Sequence, residues 1–457
     1  MFKSNSSKFN GQSLTIPMLS LVCGTVGLLT PDWHQQLLAA DGTANQNNVD
    51  NTIRKICPPQ KGLGEQLQAR CNALVTAGSP PNVLTQVTSE QTAAQNTQAL
   101  EMNNNQLASL SNRISAIRSG RQTGRINIAG LMFDNNGNPV SSTQLAKLND
   151  TFNKAAAGDD SFDRLGVFVN GDIGYGNRRT TTNEVGYNLN THGVTAGVDY
   201  RFTDNFVLGT AFGYNNATSA YYSNLGKLET NSYSGAIYGS FFTESGFFID
   251  GIFSGSHVNY DSNRQIQYSL SSEAQLNKTP GGIINTNAFG KNEGDEFNVA
   301  MTSGYNFNFG GLTVTPQIRV DYTTSQVDAL NEQGGQGWAL HVDQQDFESL
   351  QTAPGLQLAY AISLPWAVIM PMARAEYIHE FKNDSRIINS YFIQDSSQTR
   401  FNILTDKPDR DYIVASAGVS AQFAHGISAF VNYDTVQANY YVNNHNFTGG
   451  VRMELPF

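Results

Sequence analysis

From Arg164 onward the chain breaks into twelve short stretches of period-two alternation, and the segments joining them alternate between long and short. The stretches are 165–175, 192–202, 205–217, 229–242, 246–261, 295–308, 311–324, 345–363, 366–381, 410–424, 427–439 and 445–457. Between them, 176–191, 218–228, 262–294, 325–344 and 382–409 are long. Thr203-Asp204, Thr243-Glu244-Ser245, Phe309-Gly310, Leu364-Pro365 and His425-Gly426 are tight turns, and 440–444 ends the series on the long side. A two-residue period sends successive side chains to opposite faces of a strand. Val194, Ala196, Val198, Tyr200 and Phe202 thus oppose Thr195, Asp199 and Arg201. An open sheet of this size would expose its edges, and a soluble sandwich has no cause to keep its long loops on one rim. An even strand number with that asymmetry predicts an all-β transmembrane barrel, twelve-stranded, antiparallel and up-and-down, with its tight turns in the periplasm.

Composition agrees. Only 14% of residues are charged and 11% are aromatic, a balance that suits an apolar outer face and a neutral-polar lumen. A net charge of −10 argues against a nucleic-acid partner, which would need a basic surface. Parity directs Asp172, Asp199, Arg201, Asp250, Arg319, Asp321, Arg374, Glu376, Arg452 and Glu454 into the lumen. Charge is tolerated there, whereas Arg or Lys on the lipid face at midplane costs roughly 2–4 kcal/mol.

The first 163 residues read differently. Lys3 and Lys8 precede the apolar run Leu14 to Leu29, the pattern of a secretory signal peptide over 1–40 with cleavage after Ala39-Ala40. A short passenger segment follows over 41–87, and its start, Asp41 to Asn51, is Asn-rich and expected to be loosely ordered. Leu63, Leu67, Cys71 and Leu74 form one stripe of a short helix that Gly78-Ser79-Pro80-Pro81 ends. With the signal removed, Cys57 and Cys71 remain, an even pair that predicts a disulfide in an oxidising compartment.

A longer helix is predicted over 88–120. Thr88 or Ser89 caps it, with Gln91 completing a capping box, and Gly120 ends it. Leu100, Leu107 and Ile114 recur every seven residues, joined by Leu110 and Ile117, while the other faces are Asn, Gln, Ser and Arg. About 30 residues at 1.5 Å each span roughly 45 Å, enough to thread a barrel from rim to rim. In the lumen, Arg113 and Arg118 are expected against inward acids such as Asp172, Asp250, Asp321, Glu376 or Glu454, and the apolar stripe against rings such as Phe168. Residues 121–163 are expected to be a linker, and 164–457 the barrel domain.

At the C-terminus, Phe447, Val451, Met453, Leu455 and Phe457 share one face of the final strand, opposite Arg452 and Glu454. A terminal Phe on an alternating strand resembles the signal that outer-membrane assembly machinery reads on barrel substrates. The region from Phe168 (FVNGDIGYGNRRTTTNEVGYNLNTHGVTAGVDYRFTDNFVLGTAFGY), the QDFES stretch and the NFTGGVRMELPF terminus resemble the translocator domain of autotransporters, the type V secretion family, over roughly the last 290 residues. The resemblance implies insertion into the Gram-negative outer membrane with the barrel assembly machinery and periplasmic chaperones as partners. It also implies contact with outer-membrane lipid, a monomeric barrel, and passage of the N-terminal segment to the cell surface. Barely fifty residues separate the signal peptide from the lumen helix, too few for a long β-helical passenger. Some members cut themselves at an Asn pair ahead of a leucine-and-arginine pattern like Leu110 to Arg118. Here Ala108-Ser109 occupy those positions and Asn103-Asn104-Asn105 lie about a turn away, so self-cleavage is not expected.

Enzymatic constellations are missing from the sequence. No His from His192 onward is followed two residues later by Ser, no Asp-His dipeptide exists, and no phosphate loop or metal-ligand cluster occurs. The expected role is therefore a non-enzymatic, cofactor-free barrel that displays or translocates a short segment. The alternative is an adhesion or structural protein acting through loops 262–294 and 382–409. A helix-plugged porin or a barrel enzyme ranks third.

Overall fold

In the computed structural model, residues 42–58, 62–124, 132–133, 139–140, 164–423 and 427–455 are described. The signal peptide expected over 1–40, nearly all of the linker and Phe457 lie outside them, as do the side chains of Glu454 and Leu455.

Twelve long strands form the wall: β1 (Leu165–Arg178), β2 (Tyr187–Thr203), β3 (Phe206–Tyr221), β4 (Gly226–Phe242), β5 (Phe247–Ser269), β6 (Ile283–Tyr305), β7 (Leu312–Val327), β8 (Gln345–Tyr360), β9 (Ala367–Glu380), β10 (Asp411–Phe423), β11 (Ile427–Gln437) and β12 (Val442–Leu455). Each pairs antiparallel with its neighbours in chain order, and β12 pairs with β1 from Val442↔Arg178 to Leu455↔Leu165. The barrel is closed, so no long edge is left unpaired around the wall. Alternation does the sorting. Val169, Ile173, Val194, Val198, Phe212, Ile237, Phe253 and Val299 face outward and exposed, while Asn170, Thr195, Asp199 and Asn298 are buried inside.

Strand lengths depart from the sequence expectation on the long-loop side. A tilted strand crosses a bilayer in about 9–11 residues, yet β5 and β6 each have 23. Most of the stretch expected as loop 262–294 is strand, paired from Arg264↔Ala288 to Ser269↔Ile283 and closed by the short helix Ser271–Leu276. Loops 325–344 and 382–409 are likewise structured. Leu330–Asn331, Leu340–Val342, Ile387–Phe392 and Phe401–Leu404 form a four-stranded sheet above the barrel.

Among the described residues, four α-helices stand ahead of the barrel: α1 (Ala44–Ile56), α2 (Glu65–Thr76), α3 (Pro81–Val87) and α4 (Ala94–Gly124). The Asn-rich start is thus a helix rather than loose chain. Thr43 and Gln46 make a reciprocal capping box, and Arg54 and Lys55 suit the last turn. Gly78 and Ser79 take positive φ at the end of α2, where the Ser79 amide donates to the Leu74 carbonyl at 3.0 Å. Pro80 and Pro81 then open α3. The box expected at Thr88 and Gln91 does not form. A 3-10 turn, Glu90–Ala93, leads into α4 instead, and the Thr88 hydroxyl donates to the Thr85 carbonyl at 3.1 Å. Gly120 does not stop α4, which continues to Gly124.

Candidate functional site

The N-terminal segment meets the barrel at two places of opposite character. Helices α1–α3 sit on the structured loops and share one apolar core with them. Val49, Ile53, Leu67, Leu74, Leu84 and Val87 come from the helices; Ile266, Tyr268, Ile284, Trp338, Leu340, Phe392 and Ile403 come from the loops. Trp338 is fully buried, packs on Phe392 at 5.5 Å between ring centroids and donates its indole N–H to the Tyr268 hydroxyl at 3.0 Å. Gly337, at φ +105°, brings loop backbone against the first turn of α2. A Cβ there would lie 2.7 Å from the Leu67 nitrogen, closer than any side chain tolerates.

Polar contacts ring this core. The Asn45 amide group accepts from the Leu404 N–H at 2.8 Å and donates to the Leu404 carbonyl at 3.1 Å, pairing with the chain as a strand would. The Gly64 N–H donates to the Gln394 carbonyl at 2.8 Å and the Leu67 N–H to the Gln394 side chain at 3.0 Å. Arg70 pairs with Glu273 at 2.5 Å, and Arg264 holds Glu332 through Nε at 2.9 Å while donating to the Gln86 carbonyl at 2.7 Å. Cys57 and Cys71 form a disulfide tying the end of α1 to α2, with Cα atoms 5.7 Å apart.

At the junction between cap and lumen, Glu90 lies buried on the 3-10 turn. Burial pushes its carboxyl up to about 8; a hydrogen bond with Asn45 opposes the rise, and Glu184 and Asp406 add to it. Asp406 and Glu184 both hold Arg178, each at 2.9 Å.

Inside the barrel, α4 is held largely by polar groups. Arg113 Nε donates to Asp199 at 2.7 Å, and the Tyr238 hydroxyl donates to the same carboxylate at 2.9 Å. Arg118 pairs with Asp250, which accepts from Ser240 at 2.7 Å, and its guanidinium lies 3.8 Å from the centre of the Phe248 ring. Higher up, Gln95 donates to Asn292 at 2.8 Å, Gln98 to Ser219 at 2.5 Å, and Asn170 to Ser109 at 2.9 Å. Leu107, Leu110, Ile114 and Ile117 pack with Phe168, Val207, Ala211, Phe248 and Ile252, whereas Leu100 is only half-buried.

Of the acids expected near the arginines, the structure brings Asp250 to Arg118. Arg113 meets Asp199, an inward residue of β2 outside the expected set. Asp321 and Glu376 instead pair with Arg319 on β7, at 3.8 and 3.5 Å. Asp172 is buried on β1, with one carboxylate oxygen unpartnered among the described residues. Parity shows that Asp199 points inward, but the wall against which α4 leans depends on its rotation about its own axis. The helix leans most closely on β2–β5 and β7, with Phe168 and Asn170 of β1 also touching it. Beside α4 remains a space of about 120 Å³, bordered by Asn104, Ser111, Arg319, Arg374, Glu376 and Asp434. On the final strand, Phe447, Val451 and Met453 face outward and exposed.

Residues 167–434 match the protein family described as autotransporter β-domain. No curated protein matches the chain. Among solved structures, the chain is similar to the translocator domain of autotransporter NalP from Neisseria meningitidis, with 17% identity over 69% of this chain and 97% of that one and a TM-score of 0.49. It is also similar to the β-domain of the Bordetella autotransporter Brka, at 15% identity over 64% and 100% and a TM-score of 0.44. A third similar structure is the transport unit of the autotransporter AIDA-I from Escherichia coli, at 12% identity over 66% and 92% and a TM-score of 0.39.

Proposed function

The chain belongs to the autotransporter β-domain family, an outer-membrane barrel of type V secretion, and from that premise we propose that it carries its own N-terminal segment to the cell surface and keeps it there as a docked lid. The shared core of α1–α3 with the loops carries this reading. A passenger destined for release would have to expose Leu67, Leu74 and Val87, together with Ile266 and Trp338, on leaving. Burial of each such side chain is worth about 1.5–3 kcal/mol, so together they favour retention. The displayed object is then one module built jointly from segment 42–87 and the loops, and the two readings offered by the sequence, passenger and loops, merge.

In this reading the barrel assembly machinery and periplasmic chaperones are the partners of biogenesis, and the outward strand β12 with Phe447, Val451 and Met453 is the part they would engage. The chain acts by display, without a catalytic step. A tag inserted at Gly42 tests the proposal. It should be labelled on intact cells, and the mature mass should retain residues 42–124 together with the barrel. A barrel whose mass lacks the segment, with the tag in the medium, would refute retention. Labelling only after permeabilisation would refute transport to the surface.

A further inference from the structure

The cap-side half of α4 is anchored to one stretch of the lumen wall at two points. Gln95 donates to Asn292 on β6 at 2.8 Å, and Asn103 donates at 3.4 Å to Thr323 on β7, the register partner of Asn298. Between those anchors the inward positions of β6 are Gly294 and Glu296. Glu296 is 2% exposed, and neither of its carboxylate oxygens has a hydrogen-bond partner among the described residues. The same holds for the Asn298 Oδ1, two positions along this face, for the Tyr260 hydroxyl and for both amide atoms of Asn96, all of them buried. The Tyr260 ring lies across Gly294, within 3.3 Å of where a Cβ there would stand, and Glu296 acts electrostatically on its hydroxyl. Asn96 precedes Asn103 by two helical turns and so shares its face of α4. Ser256 on β5 and Ser325 on β7 flank Glu296 in register, and α4 leans on both of those strands.

We infer that these oxygens bind an alkali-metal cation, Na⁺ or K⁺, which joins the cap-side half of α4 to the wall of β5–β7. A buried carboxylate is paired or coordinates a metal, and α4 brings no partner of its own, having no lysine or arginine from Ala94 to Asn112. A proton would neutralise Glu296 alone. A cation instead draws the carboxylate, the Asn298 and Asn96 amide oxygens and the Tyr260 hydroxyl oxygen to one centre. Every ligand is oxygen, the donor type that hard cations take. A single carboxylate among neutral oxygens balances one positive charge, which selects a monovalent ion over Ca²⁺ or Mg²⁺. The next acid along the wall, Asp321, is already held by Asn298 and Arg319. Arg113 and Arg118 tie the other half of α4 to Asp199 and Asp250. The bound ion gives the cap-side half an equivalent charged tie, whether or not the cap stays docked.

The test uses the full chain folded in detergent and exchanged into choline chloride. Equilibrium dialysis against radiolabelled Na⁺ and Rb⁺ counts bound ions. The temperature midpoint of heat-modifiable migration is read in parallel in sodium, potassium, calcium, magnesium and choline chlorides at equal ionic strength. Wild type should hold one alkali ion per chain and unfold at a higher midpoint in sodium or potassium chloride than in choline chloride, since an ion that binds only the folded chain stabilises it. Glu296→Gln keeps the shape without the charge; it should bind the ion at least about tenfold more weakly and unfold at the same midpoint in all three salts. Asn96→Ala leaves the barrel strands untouched and should weaken binding about tenfold, so it decides the matter if Glu296→Gln does not fold. Wild type that retains no alkali ion would overturn the inference, as would binding unchanged in either folded variant. A wild-type midpoint equal in sodium, potassium and choline chlorides is the result that a protonated Glu296 gives, and it too would overturn the inference. Preferential retention of Ca²⁺ or Mg²⁺ would do the same.

Discussion

The cap and the lumen helix come from one continuous N-terminal segment, yet they are fixed by different physics. Helices α1–α3 bury aliphatic and aromatic side chains in a dry core and are tied by a disulfide. Helix α4 has one narrow apolar stripe and is otherwise held by two arginine–carboxylate pairs and a ladder of amide and hydroxyl contacts. A lid exposed to bulk water outside the membrane gains from excluding that water. A helix inside a polar lumen leaves space beside Asn104 and Ser111 unfilled, and direction-specific polar contacts set its position.

Removing residues 42–87 breaks the comparison most severely. The loops would lose half their core and expose Ile266, Tyr268, Ile284 and Leu340, while the barrel, whose strands pair without the cap, should stay heat-modifiable. Limited proteolysis should then cut within 325–344 and 382–409, sites protected in the full chain. Protection unchanged by the deletion would show that the loops fold independently of the cap.

On the lumen side, Arg113→Ala leaves Asp199 buried beside Tyr238 without its cation. Removing one partner of a buried pair costs about 3–5 kcal/mol, enough to unseat the lower half of α4. Planar-bilayer conductance should rise towards that of a chain starting near Gly120, while cap protection against protease persists. Conductance equal to wild type would mean that Arg113 does not hold the helix in place. The smaller disulfide effect belongs to the cap. Cys57→Ala with Cys71→Ala opens a loop whose ends are 14 positions apart, and should lower the stability of the cap by about 3 kcal/mol on the chain-entropy argument. A lower urea midpoint in Trp338 emission, with the barrel unchanged, would report it.

Barrel and cap also differ in how much of each the sequence reveals. Period-two alternation such as Val194 to Phe202 is imposed by the membrane on one face and the lumen on the other, so strand number, parity and the inward acids are legible directly. Above the membrane that constraint ends. Asn263, Gln265, Asn285 and Asn287 look like loop residues because neither lipid nor lumen dictates them, and β5 and β6 outrun every local signal. The helix Ala44–Ile56 hides in an Asn-rich stretch because its stabilising partners, Phe401 and Ile403, lie some 350 positions away. The pairing of Arg113 with Asp199 fails to show for a related reason. Ten inward charges are visible, but the rotation that chooses among them follows from packing of Leu110 and Ile114 on Phe168 and Phe248.

Glu90 joins the two regions, and its ionisation offers the finest test of their contrast. Its carboxyl ordinarily titrates at 4.5 and is pushed to about 8 by burial, with Glu184 and Asp406 adding to the rise. Between those values the folded chain holds a proton that the unfolded chain has released. Junction stability is therefore fully present below about 4.5, falls as pH rises towards 8, and is flat beyond. The loss is on the order of a few kcal/mol, since a tenfold change in proton affinity corresponds to about 1.4 kcal/mol. Because Glu90 sits on the cap side of α4, the effect should appear in cap opening, followed by Trp338 emission in urea at pH 5, 6.5 and 8, and be far weaker in lumen conductance. Glu90→Gln keeps the size and the Asn45 contact but cannot ionise, so its midpoint should vary less with pH and exceed that of wild type at pH 8. A wild-type midpoint that rises with pH over this range would reverse the sign and remove Glu90 as the linking group.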